Sequence, residues 1–133
     1  MISLNTVKPI VAYREWGFHN LDRPGDIHTE GYNGNIDQTK ETTVVEGWAL
    51  DPLANSTASC VMIQIGDQYY KAEYGKERDN VAEYFQNSTY LKCGYQLEIN
   101  TQELLSTGSM KVHVISSDST YQYPPEEYII QGK

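Results

Sequence analysis

The sequence has few of the residues on which enzymes and membrane proteins depend. It contains only two cysteines and three histidines in 133 residues, and these do not occur at the close spacings of a metal site. No apolar run approaches the roughly 18 residues that are needed to span a bilayer. We therefore predict that this segment does not insert directly into a membrane, and we predict no metal and no cofactor.

Positive charge is also scarce. The chain has 10 Lys and Arg against 18 Asp and Glu, so its formal net charge is -8. A domain this acidic repels the phosphate backbone of nucleic acids and the headgroups of anionic lipids. Nucleic acid is therefore not among the partners that we expect. The charge is explained most simply as keeping an exposed domain soluble, and a weak cation site is the alternative.

Catalytic motifs are missing as well. The sequence has no Gly-x-Ser-x-Gly, no His-Glu-x-x-His and no glycine loop that cradles phosphate. His19 and His28 lie near Asp22 and Asp26, which would allow only a weak metal site. His113 lies in a predicted strand, where we expect it to face solvent. We predict that the chain is not an enzyme.

The start of the chain does not resemble a signal peptide. The first residues lead directly into the polar residues Asn5, Thr6 and Lys8, with no long apolar region. Two alternatives follow from this. The protein is cytoplasmic, or it is a soluble piece of a larger secreted or membrane protein.

The residues that are present favour β-structure. Short segments rich in Val, Ile, Thr and Tyr alternate in polarity and are separated by turns about every ten residues. Gly66-Asp67, between two such segments, predicts a hairpin. Long helices at the spacing of parallel βαβ units are missing. We therefore predict an all-β, antiparallel sandwich, with strands at residues 34–38, 42–50, 60–65, 68–74, 94–99, 110–115 and 121–130.

The first thirty or so residues lack this periodicity and carry turn signals instead. We interpret residues 1–30 as an irregular lead-in or tether, with one short strand at residues 10–13, and residues 31–133 as the β-sandwich domain. Trp16 and Phe18 favour folding of the lead-in onto the domain, because two large aromatic residues are unusual in a disordered end.

One or two short helical turns are expected between the strands. Asp79 is placed to cap a short helix in which Val81 and Phe85 share one face. Asn100 resembles an N-cap residue with a reciprocal acid at Glu103. The sequence therefore predicts one helical turn before the fifth of these strands and another after it.

Two pairs of residues constrain the arrangement of the strands. Cys60 and Cys93 each lie in or beside a predicted strand, so a disulfide between neighbouring or facing sheets is one alternative and two buried thiols are the other.

Pro124 and Pro125 interrupt the last predicted strand, and we therefore expect this segment at a sheet edge or in a loop.

Four residues have structural roles in our interpretation. Trp48 lies between Gly47 and Ala49, so its ring has room to lie across a neighbouring strand and fill the core, with ligand stacking as the alternative. Asp51 before a proline favours a turn, because its side chain can accept bonds from backbone amides beyond it. Arg78 is expected to clamp carbonyls or a carboxylate with its planar guanidinium. Tyr95 alternates toward one side of its strand.

The tyrosines are the candidates for ligand binding. Adjacent tyrosines of a strand point to opposite faces, so at least one of each such pair is expected at the surface. An aromatic ring with a polar tip, near Asn, Gln and Asp, suits stacking on sugar rings. The alternative is that these rings fill half-buried sheet positions. The five candidates are Tyr69, Tyr70, Tyr74, Tyr121 and Tyr123.

Three motifs occur in an order that resembles a known kind of module. They are Gly-Trp-Ala-Leu-Asp at residues 47–51, Arg-Asp-Asn-Val-Ala at residues 78–82, and Gly94-Tyr95. Together they are similar to a small Ig-like β-sandwich of bacterial extracellular and cell-wall proteins, which also occurs as a soluble appendage of glycosyltransferase-type membrane proteins. The resemblance covers about residues 34–117.

The chain departs from this family pattern at two places. Pro-Asp of the second motif is replaced by Asp79-Asn80, and Phe of the third is replaced by Tyr95. The first change weakens any role that needs a carboxylate at the position of Asn80. The second change is conservative.

The resemblance implies an Ig-like fold and a non-catalytic, extracytoplasmic module carried by a larger cell-envelope protein. The partner would be a polysaccharide or the parent membrane protein. The alternative is a purely structural spacer or assembly domain that packs against its parent. A small hydrolase is the third and least favoured hypothesis.

Overall fold

The computed structural model of the chain describes residues 19–21, 28–30, 33–120, 122–123 and 125–132, with side chains from residue 36 onward. Strands and two short α-helices alternate along this part of the chain. The strands are β1 (His19–Leu21), β2 (His28–Glu30), β3 (Asn33–Ile36), β4 (Thr42–Asp51), β5 (Ser56–Thr57), β6 (Cys60–Ile65), β7 (Gln68–Lys71), β8 (Glu73–Lys76), β9 (Gly94–Asn100), β10 (Ser109–Ile115) and β11 (Glu126–Gly132). The helices are α1 (Asp79–Phe85), a 3₁₀ turn (Ser88–Tyr90) and α2 (Thr101–Thr107).

The strands form two sheets. The first has the order β1-β4-β9-β8, with β5 paired to the end of β4, and the second has the order β2-β3-β11-β10-β6-β7. Strands β3 and β11 run parallel, and the other pairings are antiparallel. The prediction of an all-β, mostly antiparallel fold with short helices is therefore confirmed, and two sheets around one core give it the form of a sandwich.

The main core lies between the two sheets. Alternate residues of β4, β6, β9 and β10 point into it, as the period of two in a strand requires. Its fully buried members include Val45 and Ala49 from the first sheet and Ile63 and Val112 from the second. Three tyrosines, Tyr95, Tyr123 and Tyr128, supply much of its volume. Burial of this apolar area is the main favourable term in the folding of the domain.

Apolar side chains also occur on the outward-pointing positions of both sheets. On the first sheet they form the helix-side cluster, which consists of Leu50, Val81, Tyr90 and Cys93 with Trp48 and Phe85 packed against them. On the second sheet they form the outer strand cluster, which consists of Cys60, Met62 and Ile115 with Tyr69 packed against them. The sandwich therefore has a main core and one smaller cluster on each outer face.

The hairpin predicted at Gly66-Asp67 is confirmed, because Ile65 pairs with Gln68 and Gly66 has a φ of 61°. The strand predicted after it is divided, however. The chain leaves the second sheet after Lys71 and enters the first sheet with β8, while Ala72 N–H donates to the Val61 carbonyl at 2.9 Å. The segment from β7 to β8 thus connects the two sheets without a loop between them. Its sequence periodicity alone does not distinguish these two short strands from one long strand.

The last strand is not at an edge. β11 lies between β3 and β10, so the sheet-edge alternative based on Pro124-Pro125 was wrong. Pro125 lies outside any strand, which agrees with the loop alternative. The strand begins only after the prolines, at Glu126, so they remove no N–H from its ladder. Two short strands, β1 and β2, occur within the predicted lead-in and pair with the two sheets. The strand predicted at residues 10–13 lies outside the described residues.

The helices begin where expected within two residues, but one cap is different. Arg78 occupies the N-cap position of α1 and makes no side-chain cap, so the cap predicted for Asp79 was wrong. The N-cap at Asn100 is confirmed, because its side chain accepts from Glu103 N–H at 3.1 Å. The Glu103 carboxylate accepts from the Tyr70 hydroxyl instead of reaching back to the cap. None of the described helices has the length and apolar composition of a membrane span.

Candidate functional site

Trp48 points away from the main core. In β4 the side chains of Val45 and Ala49 face inward, so Trp48, at the alternate position, faces outward. It is half-buried, and its ring lies 5.9 Å from that of Phe85 at an interplanar angle of 73°. The expectation that Trp48 fills the main core was therefore wrong, and the ring belongs to the helix-side cluster.

Helix α1 covers this face because Val81 and Phe85 lie one helical turn apart and pack onto the same cluster. Phe85 also meets Tyr90, with ring centroids 5.6 Å apart. Successive residues of a helix are about 100° apart, so Tyr84, which precedes the packed Phe85, projects away from the cluster. It is 81% exposed, and its ring meets that of Phe85 edge to face at 4.9 Å.

These side chains form a shallow cleft of about 240 Å³, which we call the aromatic cleft. Its walls are three aromatic rings and a valine, and its one amide is Asn80; the lining residues are Trp48, Asn80, Val81, Tyr84 and Phe85. Among the described residues, no charged side chain lines it. The volume is below the roughly 300–1,000 Å³ of a pocket for a drug-sized ligand. The cleft has room for one small ring or ring-sized group.

Arg78 connects the cleft to the sheet. Its Nη1–H donates to the Gly47 carbonyl at 3.3 Å, and its Nε–H donates to Asn80 Oδ1 at 3.2 Å. Its stem crosses Gly94, where an added Cβ would lie 3.1 Å from Arg78 Cγ and 3.0 Å from Lys76 atoms. These contacts are tighter than most real Cβ contacts, so the close approach of this chain segment favours glycine at position 94. The clamp predicted for Arg78 has a carbonyl and an amide oxygen as its partners.

The three motifs that are far apart in the sequence meet at this place. Gly47 and Trp48 belong to the first motif, Arg78 and Val81 to the second, and Gly94 to the third. The sheet register places Trp48 directly opposite Gly94. The motifs thus build one structural unit, the end of the first sheet with its covering helix.

Asp51 is buried and ties three segments together. Its Oδ1 accepts from the Tyr123 hydroxyl at 2.5 Å and from Ala54 N–H at 3.3 Å, and its Oδ2 accepts from Ser117 N–H at 2.8 Å. The bond to Ala54 is the turn interaction that was predicted. Tyr123 has no exposed surface, so no ligand can stack on it.

The other candidate tyrosines are held by structural contacts. The Tyr74 hydroxyl donates to the Ala49 carbonyl at 2.6 Å and accepts from Ala58 N–H at 2.9 Å, and burial raises the Tyr74 pKa well above its ordinary value. Tyr70 packs on the main core. Its hydrogen bond to the Glu103 carboxylate raises the pKa of Tyr70 to about 12.

Tyr69 packs on the opposite side of the same strand, on the outer strand cluster, with its ring 6.0 Å from His113. The two adjacent tyrosines therefore point to opposite faces, as predicted. Tyr121 lies outside the described residues. Tyr95 is buried in the main core, on the side of β9 that was expected.

Both cysteines are thiols, and no disulfide joins them. Cys60 belongs to the outer strand cluster and Cys93 to the helix-side cluster, so the main core lies between them. The disulfide alternative is thereby ruled out for this fold, since two residues on opposite outer faces cannot reach each other. Burial raises the pKa of the Cys60 thiol.

His113 is buried, so the expectation that it faces solvent was wrong. Its Nε2 lies 2.9 Å from Gln64 Oε1, and Gln64 Nε2 donates to the Gly66 carbonyl at 3.0 Å. Nε2 of His113 therefore carries the proton, since the Gln64 oxygen can only accept. Burial lowers the pKa of His113 to about 4, and the positive charge of Lys111 acts in the same direction.

The described residues bring together no group of three or more His, Cys, Asp or Glu side chains that could hold a metal ion. No family model and no curated protein matches the chain. The aromatic cleft is thus identified by its geometry. Phe85 was not predicted as a site residue, and Tyr84 is not among the five tyrosines predicted to bind a ligand, although the shared face of Val81 and Phe85 already indicated that Tyr84 would point away from the packed side.

Proposed function

We propose that this chain is an Ig-like β-sandwich module. The order β1-β4-β9-β8 is the order of strands A, B, E and D in one immunoglobulin sheet, and β11-β10-β6-β7 corresponds to strands G, F, C and C′ in the other. The switch of the chain from β7 to β8 then corresponds to the passage between the two sheets. This correspondence in strand order supports the finer assignment.

We further propose that the module is a non-catalytic, extracytoplasmic part of a larger cell-envelope protein. Its support is the order of the three motifs and the way in which Gly47, Arg78 and Gly94 meet around the covering helix. One interlocking unit explains why these residue types occur together: a glycine allows the arginine stem to cross, and the arginine then holds the helix to the sheet.

The function that the geometry supports best is binding of a glycan at the aromatic cleft. The observation that carries this proposal is Tyr84, a large ring with 81% of its surface exposed, beside the half-buried rings of Trp48 and Phe85. Exposed aromatic faces next to an amide suit the apolar faces and hydroxyl rims of sugars. The proposal thus places the candidate surface on α1.

The test is a titration of the domain with soluble cell-envelope polysaccharide fragments, followed by amide chemical shifts in NMR spectra. We expect shifts in residues of α1 and around Trp48, and we expect them to disappear in Tyr84→Ala. The matched control is Tyr69→Ala, which removes a tyrosine from the opposite outer face. No binding at millimolar concentration, or binding that Tyr84→Ala leaves intact, would refute glycan binding at this cleft.

The alternative is that the same cleft packs against the parent protein. Exposed aromatic residues are frequent anchors of protein interfaces, and Tyr84 has the exposure that such an anchor needs before assembly. This alternative predicts that Tyr84→Ala disturbs assembly of the full-length protein while no glycan shifts the spectrum.

A further inference from the structure

Asn80 is the polar side chain of the aromatic cleft, and Arg78 determines which way its amide points. Arg78 Nε lies 3.2 Å from Asn80 Oδ1. A guanidinium can donate hydrogen bonds but cannot accept them, so the atom of the amide that faces Arg78 is its oxygen. The NH₂ group of Asn80 is consequently the end that is left for a ligand, and the cleft offers a hydrogen-bond donor.

The charges around the cleft favour an uncharged ligand. Asp79 and Glu83 are exposed on the same helix, and the whole chain carries a net charge of -8, which disfavours anionic glycans. Arg78 contacts the amide of the cleft, and its guanidinium already binds the Gly47 carbonyl and Asn80. Its positive charge beside Asn80 also disfavours a cationic group at that point.

The remaining walls of the cleft are apolar. Val81 is almost fully buried, the rings of Phe85 and Trp48 are half-buried and in edge contact with each other, and Tyr84 is 81% exposed. A ligand that fits would therefore have a ring to stack on Tyr84, a small apolar group to place on the valine, and an acceptor oxygen for the amide of Asn80. An acetamido group supplies the last two, since it joins a methyl to a carbonyl.

We propose that the aromatic cleft binds an N-acetylated hexosamine unit of a neutral glycan. The sugar ring stacks on Tyr84, the acetamido carbonyl accepts from Asn80 Nδ2–H, and the acetamido methyl contacts Val81 and Phe85. This inference rests on the proposed function, namely that the cleft binds glycan, and adds the class of sugar. The donor arises from Asn80, the position at which this chain departs from the carboxylate of the family pattern.

The test compares three soluble tetramers by calorimetric or NMR titration: N-acetylglucosamine, glucose with the same linkage, and glucosamine. We expect the N-acetylglucosamine tetramer to bind about tenfold more tightly than the glucose tetramer, which is the factor that one net hydrogen bond supplies. The glucosamine tetramer, which carries amines in place of acetamido groups, should bind no more tightly than glucose.

The variant Asn80→Asp tests the hydrogen-bond donor of the cleft directly. The aspartate keeps an oxygen for Arg78 but replaces the NH₂ donor with a second acceptor, so the preference for N-acetylglucosamine should fall by about tenfold. Gln86→Glu, at the exposed end of the same helix and outside the cleft, adds the same charge and should leave the preference unchanged. Circular dichroism of both variants establishes that they fold.

The outcomes separate this inference from the proposed function. Equal binding of the N-acetylglucosamine and glucose tetramers, or tightest binding of glucosamine, would overturn the acetamido assignment while glycan binding stands. Retention of the preference in Asn80→Asp would overturn it too. Failure of all three tetramers and of the envelope fragments to bind would overturn both proposals.

Discussion

The outer faces of the two sheets both carry apolar side chains, but they are covered in different ways. On the first sheet, α1 lies over the helix-side cluster and leaves the aromatic cleft open beside Tyr84. On the second sheet, Met62 of the outer strand cluster has no exposed surface, and the hydrogen bond between Gln64 and His113 lies along the same face. An antiparallel sheet with one solvated face normally carries polar residues there.

This comparison shows that apolar composition alone does not identify a binding surface. Both clusters would look alike in a list of hydrophobic residues. They differ in exposure: the outer strand cluster contributes to stability because it is closed, and the helix-side cluster has an open concave edge because a helix of only two turns cannot cover it. Exposed concave aromatic surface is the feature that indicates binding.

The largest expected effect on stability concerns the outer strand cluster, which closes the outer face of the second sheet. Met62→Ala should lower the free energy of unfolding by about 2–5 kcal/mol, since it removes a fully enclosed side chain and leaves a cavity. Met62→Leu, which nearly conserves volume, should cost less than about 1.5 kcal/mol. Urea denaturation measures both. A cost for Met62→Ala below about 1 kcal/mol would mean that this face is open in solution, and the contrast between the two faces would then be lost.

The second prediction concerns the pH dependence of the same face. The pKa of His113 is about 4 in the folded protein, against about 6.5 in an unfolded chain. Between these values the unfolded state binds a proton that the folded state does not, so stability falls as pH falls from about 6.5 to 4. His113 should contribute about 2–3 kcal/mol to this loss.

The check is a series of denaturation curves across this pH range for the wild type and for His113→Gln. The variant cannot take up the proton, so it should lose the part of the pH dependence that His113 supplies. An unchanged slope in the variant would show that other groups, and not the buried imidazole, account for the pH dependence.

The third prediction concerns Trp48, on the part of the first sheet's outer face that α1 covers. Trp48→Ala should cost about 2 kcal/mol in the free energy of unfolding, below the roughly 3–5 kcal/mol of a fully buried tryptophan, because part of the ring is exposed. Trp48→Phe retains an aromatic contact with Phe85 and should recover about half of that loss. A cost as large as that of Met62→Ala would mean that α1 closes over the ring in solution.

Much of the fold could be predicted from the sequence, and the reason is local. The hairpin at Gly66-Asp67 and the N-cap at Asn100 depend on residues within a few positions of each other, and both are confirmed. The strands with regular alternation were found within one or two residues. Local turn chemistry and the period of two are sufficient for these features.

The direction of Trp48 could not be predicted, because both faces of its strand are apolar. Val45 and Ala49 occupy one set of alternate positions while Trp48 and Leu50 occupy the other, so the pattern does not say which set faces the main core. Tertiary contacts determine which set of side chains faces the main core. The burial of Tyr123 likewise depends on Asp51, which lies 72 residues away in the sequence.

The sequence predicted the type of the candidate site but not the residues that form it. Aromatic residues near an amide were expected, and the cleft has that character, but it is formed by Tyr84 and Phe85 instead of the five candidate tyrosines. Four of those five are held by structural contacts or packing in the described residues. Since tyrosine suits both half-buried sheets and wet binding faces, its count in a sequence does not separate the two roles.

The smallest expected effect on stability is the most informative about function. Tyr84→Ala should change the free energy of unfolding by less than about 1 kcal/mol, because its ring is 81% exposed and has a single edge-to-face contact with Phe85. The same substitution should abolish measurable glycan binding. Tyr69→Ala is its counterpart on the closed face and should show the reverse, with a measurable loss of stability and unchanged binding. If Tyr84→Ala were the more destabilising of the two, the ring would be part of the packed structure, and the open edge of the first sheet would no longer be distinguished from the closed face of the second.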